Sequence, residues 1–197
     1  MQLLTLYTLT EVTCLAVALY CLRGEGWNCW GVQRVYLAVV VAVELGGTYL
    51  RQLPANNLPL YNGFILVECL TVSTVLRGML QPLFPRSLGP WLVGWLAVFG
   101  VAYVLELALT GQPYVYLNYS VVLMGTVFAL ACGVYFYRLL MATPHRRISR
   151  HAPFWWVSGT AVFHFGGLAS NSVLDLTIQQ PVMVGELYTC TISPPTP

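Results

Sequence analysis

Six apolar runs of about twenty residues, parted by short polar punctuation, constrain this chain more than any other feature. Windows of about 19 residues place them at 2–22, 33–50, 60–80, 90–110, 116–141 and 154–177. In lipid every backbone N–H and C=O must be paired internally, which leaves helices or closed barrels. Runs of this length suit helices, because a barrel strand needs only about 9–11 residues. The segments GEGWNCWG, PANNLP, QPLFPRSLGP, TGQP and TPHRRISRHAP separate the runs and carry the glycine and proline that end helices. The expected fold is an all-α polytopic transmembrane bundle over 1–180. Residues 181–197, interrupted by Pro181 and closing prolines, read as a short external or interfacial tail.

Composition narrows the class. The chain is 57% hydrophobic and 8% charged. A soluble domain carries about 25% charged residues, so there is too little polar surface here to coat a soluble globule. A net charge of +2, without an arginine stripe interleaved with aromatics, argues against nucleic-acid binding. All nine basic residues are arginine. A retinal Schiff base and lysine nucleophiles are therefore excluded. The cysteines at 14, 21, 29, 69, 132 and 190 form no C-x-x-C. Cys14, Cys21, Cys69 and Cys132 fall within apolar runs and read as inert thiols.

Arginine placement orients the bundle. Arg138, Arg146, Arg147 and Arg150 flank or occupy the connection after the fifth run, which the positive-inside rule makes cytoplasmic. Alternation then puts Arg23, Arg34, Arg77 and Arg86 inside and Arg51 outside, with the N-terminus outside. The first run lacks a basic N-terminal flank, so no cleavable signal peptide is expected. Small residues one turn apart, at Ala38–Ala42–Gly46, Gly125–Ala129–Gly133 and Gly166–Ser170, predict close helix contacts.

Against this background the embedded ionisable residues stand out. Glu11, Glu44, Glu68, Glu106, His164 and Asp175 lie within or at the ends of the apolar runs. A charge at the bilayer centre costs about 2.5–3.5 kcal/mol even on lenient scales, so such residues face partners or a wet cavity. Helical spacing groups His164, Leu168, Asn171 and Asp175 on one stripe, and Tyr61 with Glu68 on another. Tyr7 pairs with Glu11, Glu44 with Thr48 and Arg51, and Trp95 and Phe99 with Glu106. Five helices thus offer stripes to one interior volume. Asn56, Asn57, Asn62, Tyr114, Tyr116, Asn118 and Tyr119 are its expected external rim. Glu106 and Asp175 lie near enough to the interface for snorkelling to serve them. The competing reading is structural: protonated carboxylates hydrogen-bonded within the bundle.

No catalytic motif accompanies these residues. G-x-S-x-G, H-E-x-x-H and a phosphate-cradling glycine loop are absent. One embedded histidine with carboxylates is a poor zinc set, and no cofactor is implied. The candidate ligand-binding residues are Glu44, Glu68 and His164 at the centre, with Asn171 and Asp175 nearer the mouth and Glu11, Tyr61 and Glu106 beside them. The basic 142–152 loop is topogenic, in contact with anionic headgroups, or docks a membrane or cytoplasmic partner.

Two segments carry a resemblance. LPLYNGFILVE (58–68) resembles an L-Y-H-x-Y-x-x-x-E pattern of small, largely uncharacterised membrane proteins of Bacteroidetes-type bacteria, and HAPFWWVSGTAVFHF (151–165) resembles their Pro-x-Phe-Trp entry to the penultimate span. Leu60, Tyr61, Glu68, Pro153, Phe154, Trp155 and Gly159 fit; Asn62 and Phe64 depart, standing where the pattern has His and Tyr. Those proteins are similar to the seven-helix membrane input modules of some sensor kinases. The resemblance implies a bacterial inner-membrane location and a seventh helix missing here. It implies no established activity.

The residues themselves leave three functions open. The leading expectation is a multi-pass sensor or receptor-like module with a polar ligand pocket in the outer half of the bundle. The alternatives are a transporter or proton-coupled subunit using the same acids, and a non-catalytic subunit of a larger membrane complex.

Overall fold

A computed structural model describes residues 6–22, 29–53, 56–84, 86–111, 115–142 and 152–179, with the backbone alone for 6, 7, 29, 142 and 171–179. Tyr114, the side chains of Tyr7, Asn171 and Asp175, most of the 142–152 loop and the 181–197 tail lie outside the described residues. Among the described residues six helices follow one another: α1 (Leu6–Cys21), α2 (Cys29–Gln52), α3 (Leu58–Leu80), α4 (Gly89–Thr110), α5 (Asn118–Ala142) and α6 (Ala152–Gln179). A 3-10 turn, Gln81–Leu83, extends α3. Each helix coincides with one apolar run, and the described residues contain no strand. Trp30–Gln52, Leu58–Leu83, Gly89–Thr110 and Asn118–Met141 are each long and apolar enough to cross a membrane. Thr8–Cys21 is a shorter apolar helix.

Local signals fix the ends. Pro59 and Pro90 stand in the first turns of α3 and α4, where a missing N–H costs nothing. The Asn56 side chain accepts from the Leu58 N–H at 2.9 Å, just ahead of α3. Gly111 closes α4 in the left-handed region (φ 63°), and its N–H donates to the Leu107 carbonyl.

Surface and interior are inverted relative to a soluble protein. Trp91, Val93, Val98, Val101 and Leu109 of α4, and Val162 and Phe165 of α6, are exposed. Asn62, Glu68, Ser73, Glu106, Ser120 and His164 are buried. That is the pattern of a bundle whose solvent is hydrocarbon.

Neighbours in sequence are antiparallel neighbours in space. On α2 and α3, Glu44 meets Tyr61 while Tyr36 meets Glu68. On α3 and α4, Asn62 meets Tyr103 while Ser73 meets Trp95. On α5 and α6, Phe128 meets His164 while Phe136 meets Phe154. α3, α4 and α5 pack mutually; α2 lies on α3, α1 on α2, and α6 on α5. The core is the seam where Ile65, Cys69, Val72, Leu76 and Met79 of α3 face Met124, Phe128, Cys132 and Tyr135 of α5. This layout gathers Arg51, Tyr61, Glu106 and Tyr116 at one end of the bundle, and Arg34, Arg77, Arg86 and Arg138 at the other.

Polar side chains lock the α3–α4–α5 group. The Asn62 amide donates to the Val115 carbonyl at 2.8 Å, and its side-chain oxygen accepts from the Leu117 N–H. The Tyr103 hydroxyl donates to the Asn62 backbone carbonyl, and the Trp95 indole donates to Ser73 Oγ at 3.0 Å. Glu106 accepts from the backbone N–H groups of Tyr119 and Ser120 at 2.9 and 2.7 Å, and from the Ser120 hydroxyl. Its carboxylate therefore caps the N-terminus of α5, satisfying orphan donors and opposing the positive end of the helix dipole.

Two packing expectations are corrected. Ala38 and Ala42 are exposed, whereas Gly46 of that stripe lies against α3, with an added Cβ 3.4 Å from Leu60. Gly125 does hold a contact, where a Cβ would lie 3.3 Å from Leu168, but Gly133 and Gly166 face open space. Glu106→Ala is expected to destabilise the bundle by about 2 kcal/mol, because two α5 N–H groups lose a charged acceptor. Thermal unfolding in detergent measures it; a midpoint equal to that of wild type would refute the capping role.

Candidate functional site

A cavity of about 700 Å³ opens between α1, α2, α3, α5 and α6. Its size lies within the usual range for small-molecule sites, about 300–1,000 Å³. α3 and α5 form the back wall through Ile65, Val121 and Met124. α2 contributes Tyr36, Val40, Val43 and Glu44, which recur at helical spacing and so share a face. α1 brings Glu11 and Cys14 from one side, and α6 brings Phe163, His164 and Leu168 from the other. Tyr116, from the α4–α5 connection, stands at the end that also holds Tyr61.

Glu44 belongs to a short relay. Arg51 Nη2 donates to the Tyr61 hydroxyl at 3.3 Å, and that hydroxyl donates to Glu44 Oε2 at 3.1 Å. The same guanidinium lies 4.0 Å from Glu44 Oε1. Arg51 is 61% exposed and Glu44 16%, so the relay runs from the rim into the cavity. Gly47 admits the tyrosine: an added Cβ would stand 2.5 Å from its hydroxyl oxygen.

Glu68 is only 9% exposed. The Tyr36 hydroxyl donates to its Oε1 over a long 3.4 Å, and the Tyr36 ring stacks on Phe64, 6.1 Å between centroids. Glu11 Oε2 is buried without a hydrogen-bond partner among the described residues. His164 is 7% exposed and is wedged edge-to-face against Phe128 at 4.9 Å and Phe163 at 5.2 Å. Those rings fix its plane.

The structure therefore brings together Glu11, Glu44, Tyr61, Glu68 and His164, as the stripes predict. It does not bring Glu106. The α4 stripe of Trp95, Phe99 and Glu106 faces α3 and α5, and α5 takes the place expected of α4 in the cavity wall. Glu106 does not snorkel, because two backbone donors hold it inside. Asn62, expected at the rim, is buried in the α3–α5 lock, and Tyr119 is 81% exposed. Of the expected rim, Tyr116 reaches the cavity. Tyr36, Phe64 and Cys14 are lining residues that the polar stripes overlook. For Tyr36 a signal exists: it precedes Glu44 by two steps of four on one face.

Among the described residues no group of three or more His, Cys, Asp or Glu is placed to hold a metal ion. Comparison with protein-family models, curated proteins and solved structures yields no match to the chain. Gly47→Ala is expected to cost about 1–3 kcal/mol by driving Tyr61 off α2. Gly133→Ala, into open space, should stay within about 0.5 kcal/mol of wild type. Equal unfolding midpoints for the two variants would refute the close α2–Tyr61 packing.

Proposed function

We propose that this chain is a multi-pass membrane sensor or receptor-like module that binds a small molecule in its cavity. One observation carries the reading. Buried polar groups normally find partners, yet among the described residues one oxygen of Glu11 has none, and Glu11 lines, with His164, a cavity of ligand size. Such groups belong to a site whose hydrogen bonds an occupant completes. With the arginine-rich end in the cytoplasm, as the positive-inside rule directs, the cavity lies in the outer half of a bacterial inner-membrane bundle.

The same acids suit a transporter or a proton-coupled subunit. The described carboxylates, however, run from the middle of the bundle to the Tyr61 end, while the other end carries arginine. This distribution supports binding over passage. Sensing fits a chain with a pocket and no catalytic motif. The basic 142–152 loop is the segment suited to a cytoplasmic partner.

Native mass spectrometry of the protein in mild detergent tests the reading. The expected spectrum holds the 21.8 kDa chain with a reproducible added mass, lost in Glu68→Gln and His164→Ala variants that still fold. An added mass retained in both variants, or flux through the wild-type protein in liposomes, would refute the assignment.

A further inference from the structure

We infer that the cavity's ligand is an organic cation: a protonated primary or secondary amine carried on an apolar body. The inference rests on the binding function proposed for the cavity and names its ligand class. Among the described residues Glu11, Glu44 and Glu68 all line the cavity, and no arginine does. The chain has no lysine. An anionic ligand would meet three carboxylates with no compensating charge. A bare metal ion lacks a clustered set of ligands among the described residues. An ammonium group on a larger body fits acids spread around a wide wall.

Hydrogen bonding points the same way. Ionised carboxylates are acceptors only, and a neutral imidazole keeps one acceptor nitrogen. Glu11 Oε2 has no hydrogen-bond partner among the described residues, Glu68 is held by one long contact, and His164 lines the same cavity. A protonated amine supplies two or three donors and the charge that lets these acids stay ionised. The Tyr36–Phe64 stack beside Glu68 adds aromatic faces that attract cations. Leu37, Val40, Val121 and Met124 offer hydrocarbon contacts to the rest of the molecule. Arg51 already shows the preference. Its guanidinium rests at the rim on Tyr61 and Glu44, where an entering ammonium would displace it.

Three probes of matched size separate the possibilities: 2-phenylethylamine, the neutral 2-phenylethanol and the anionic 3-phenylpropionate. Each is titrated by calorimetry into the full chain in detergent at neutral pH, to millimolar concentrations. The amine should bind at least about tenfold more tightly than either analogue. Glu68→Gln and Glu44→Gln, which keep side-chain volume, should each weaken the amine about tenfold and leave the alcohol unchanged. Arg51→Ala removes a competing cation from Glu44 and Tyr61 at the exposed rim, and should strengthen amine binding. Equal binding of the alcohol, preference for the propionate, or weaker amine binding in Arg51→Ala would overturn the cation and leave a binding cavity. No saturable binding of any probe to folded protein would overturn the cavity reading with it.

Discussion

A polar group surrounded by hydrocarbon must find its partner within the protein, and α3 is built around that constraint. Asn62 ties the start of α3 to the α4–α5 connection, and Ser73 ties its far half to Trp95 of α4. Glu106, on α4, ties the same end to the first turn of α5. An unmade bond at any of these would cost more in lipid than in water, where solvent would replace it. Hydrophobic attraction between helices is weak in a bilayer, so such polar ties and close packing set how α3, α4 and α5 sit together.

The cavity is the space this frame leaves open. α2 leans on α3 where Gly46 and Gly47 admit Leu60 and Tyr61, and α6 leans on α5 where Gly125 admits Leu168. α1 rests on α2. The space between these arms receives Glu11, Glu44, Glu68 and His164. The two sets of polar residues are therefore different in kind. Asn62, Ser73 and Glu106 have hydrogen bonds made within the bundle. Glu11 Oε2 has none among the described residues, Glu68 is held loosely by Tyr36, and His164 lines the same cavity. The second set is the one on which the binding proposal rests.

A ligand cation in that space would compete with a contact the protein already makes. Arg51, Tyr61 and Glu44 connect the last turns of α2 to the first turns of α3. Displacing the guanidinium would change that connection at one end of the bundle and leave the α3–α4–α5 lock intact. In the proposed receptor, the α3–α4–α5 group would be the firm half and the α1–α2 side the half that an occupant moves, joined through α3. The conformational step would be carried by differential contacts to Glu44, as any ligand-driven shift requires.

The fold class was legible in the chain before any packing was known. Six apolar runs and sparse charge leave room only for a helical bundle, and every run became a helix because backbone polar groups in such surroundings must bond along their own segment. The sequence also marked Glu11, Glu44, Tyr61, Glu68 and His164, since helical periodicity alone shows which embedded polar residues share a face. Tertiary structure decided which face meets which helix. Glu106 and Glu68 look alike as sequence: each is a lone acid in an apolar run. One caps α5 and the other lines a cavity, because helix rotation and register depend on packing many residues away. The small-residue stripes divided for the same reason, with Gly125 in a contact and Ala38 and Ala42 facing out. Period tells a residue's angle on its own helix, and only the neighbours' positions give that angle a meaning.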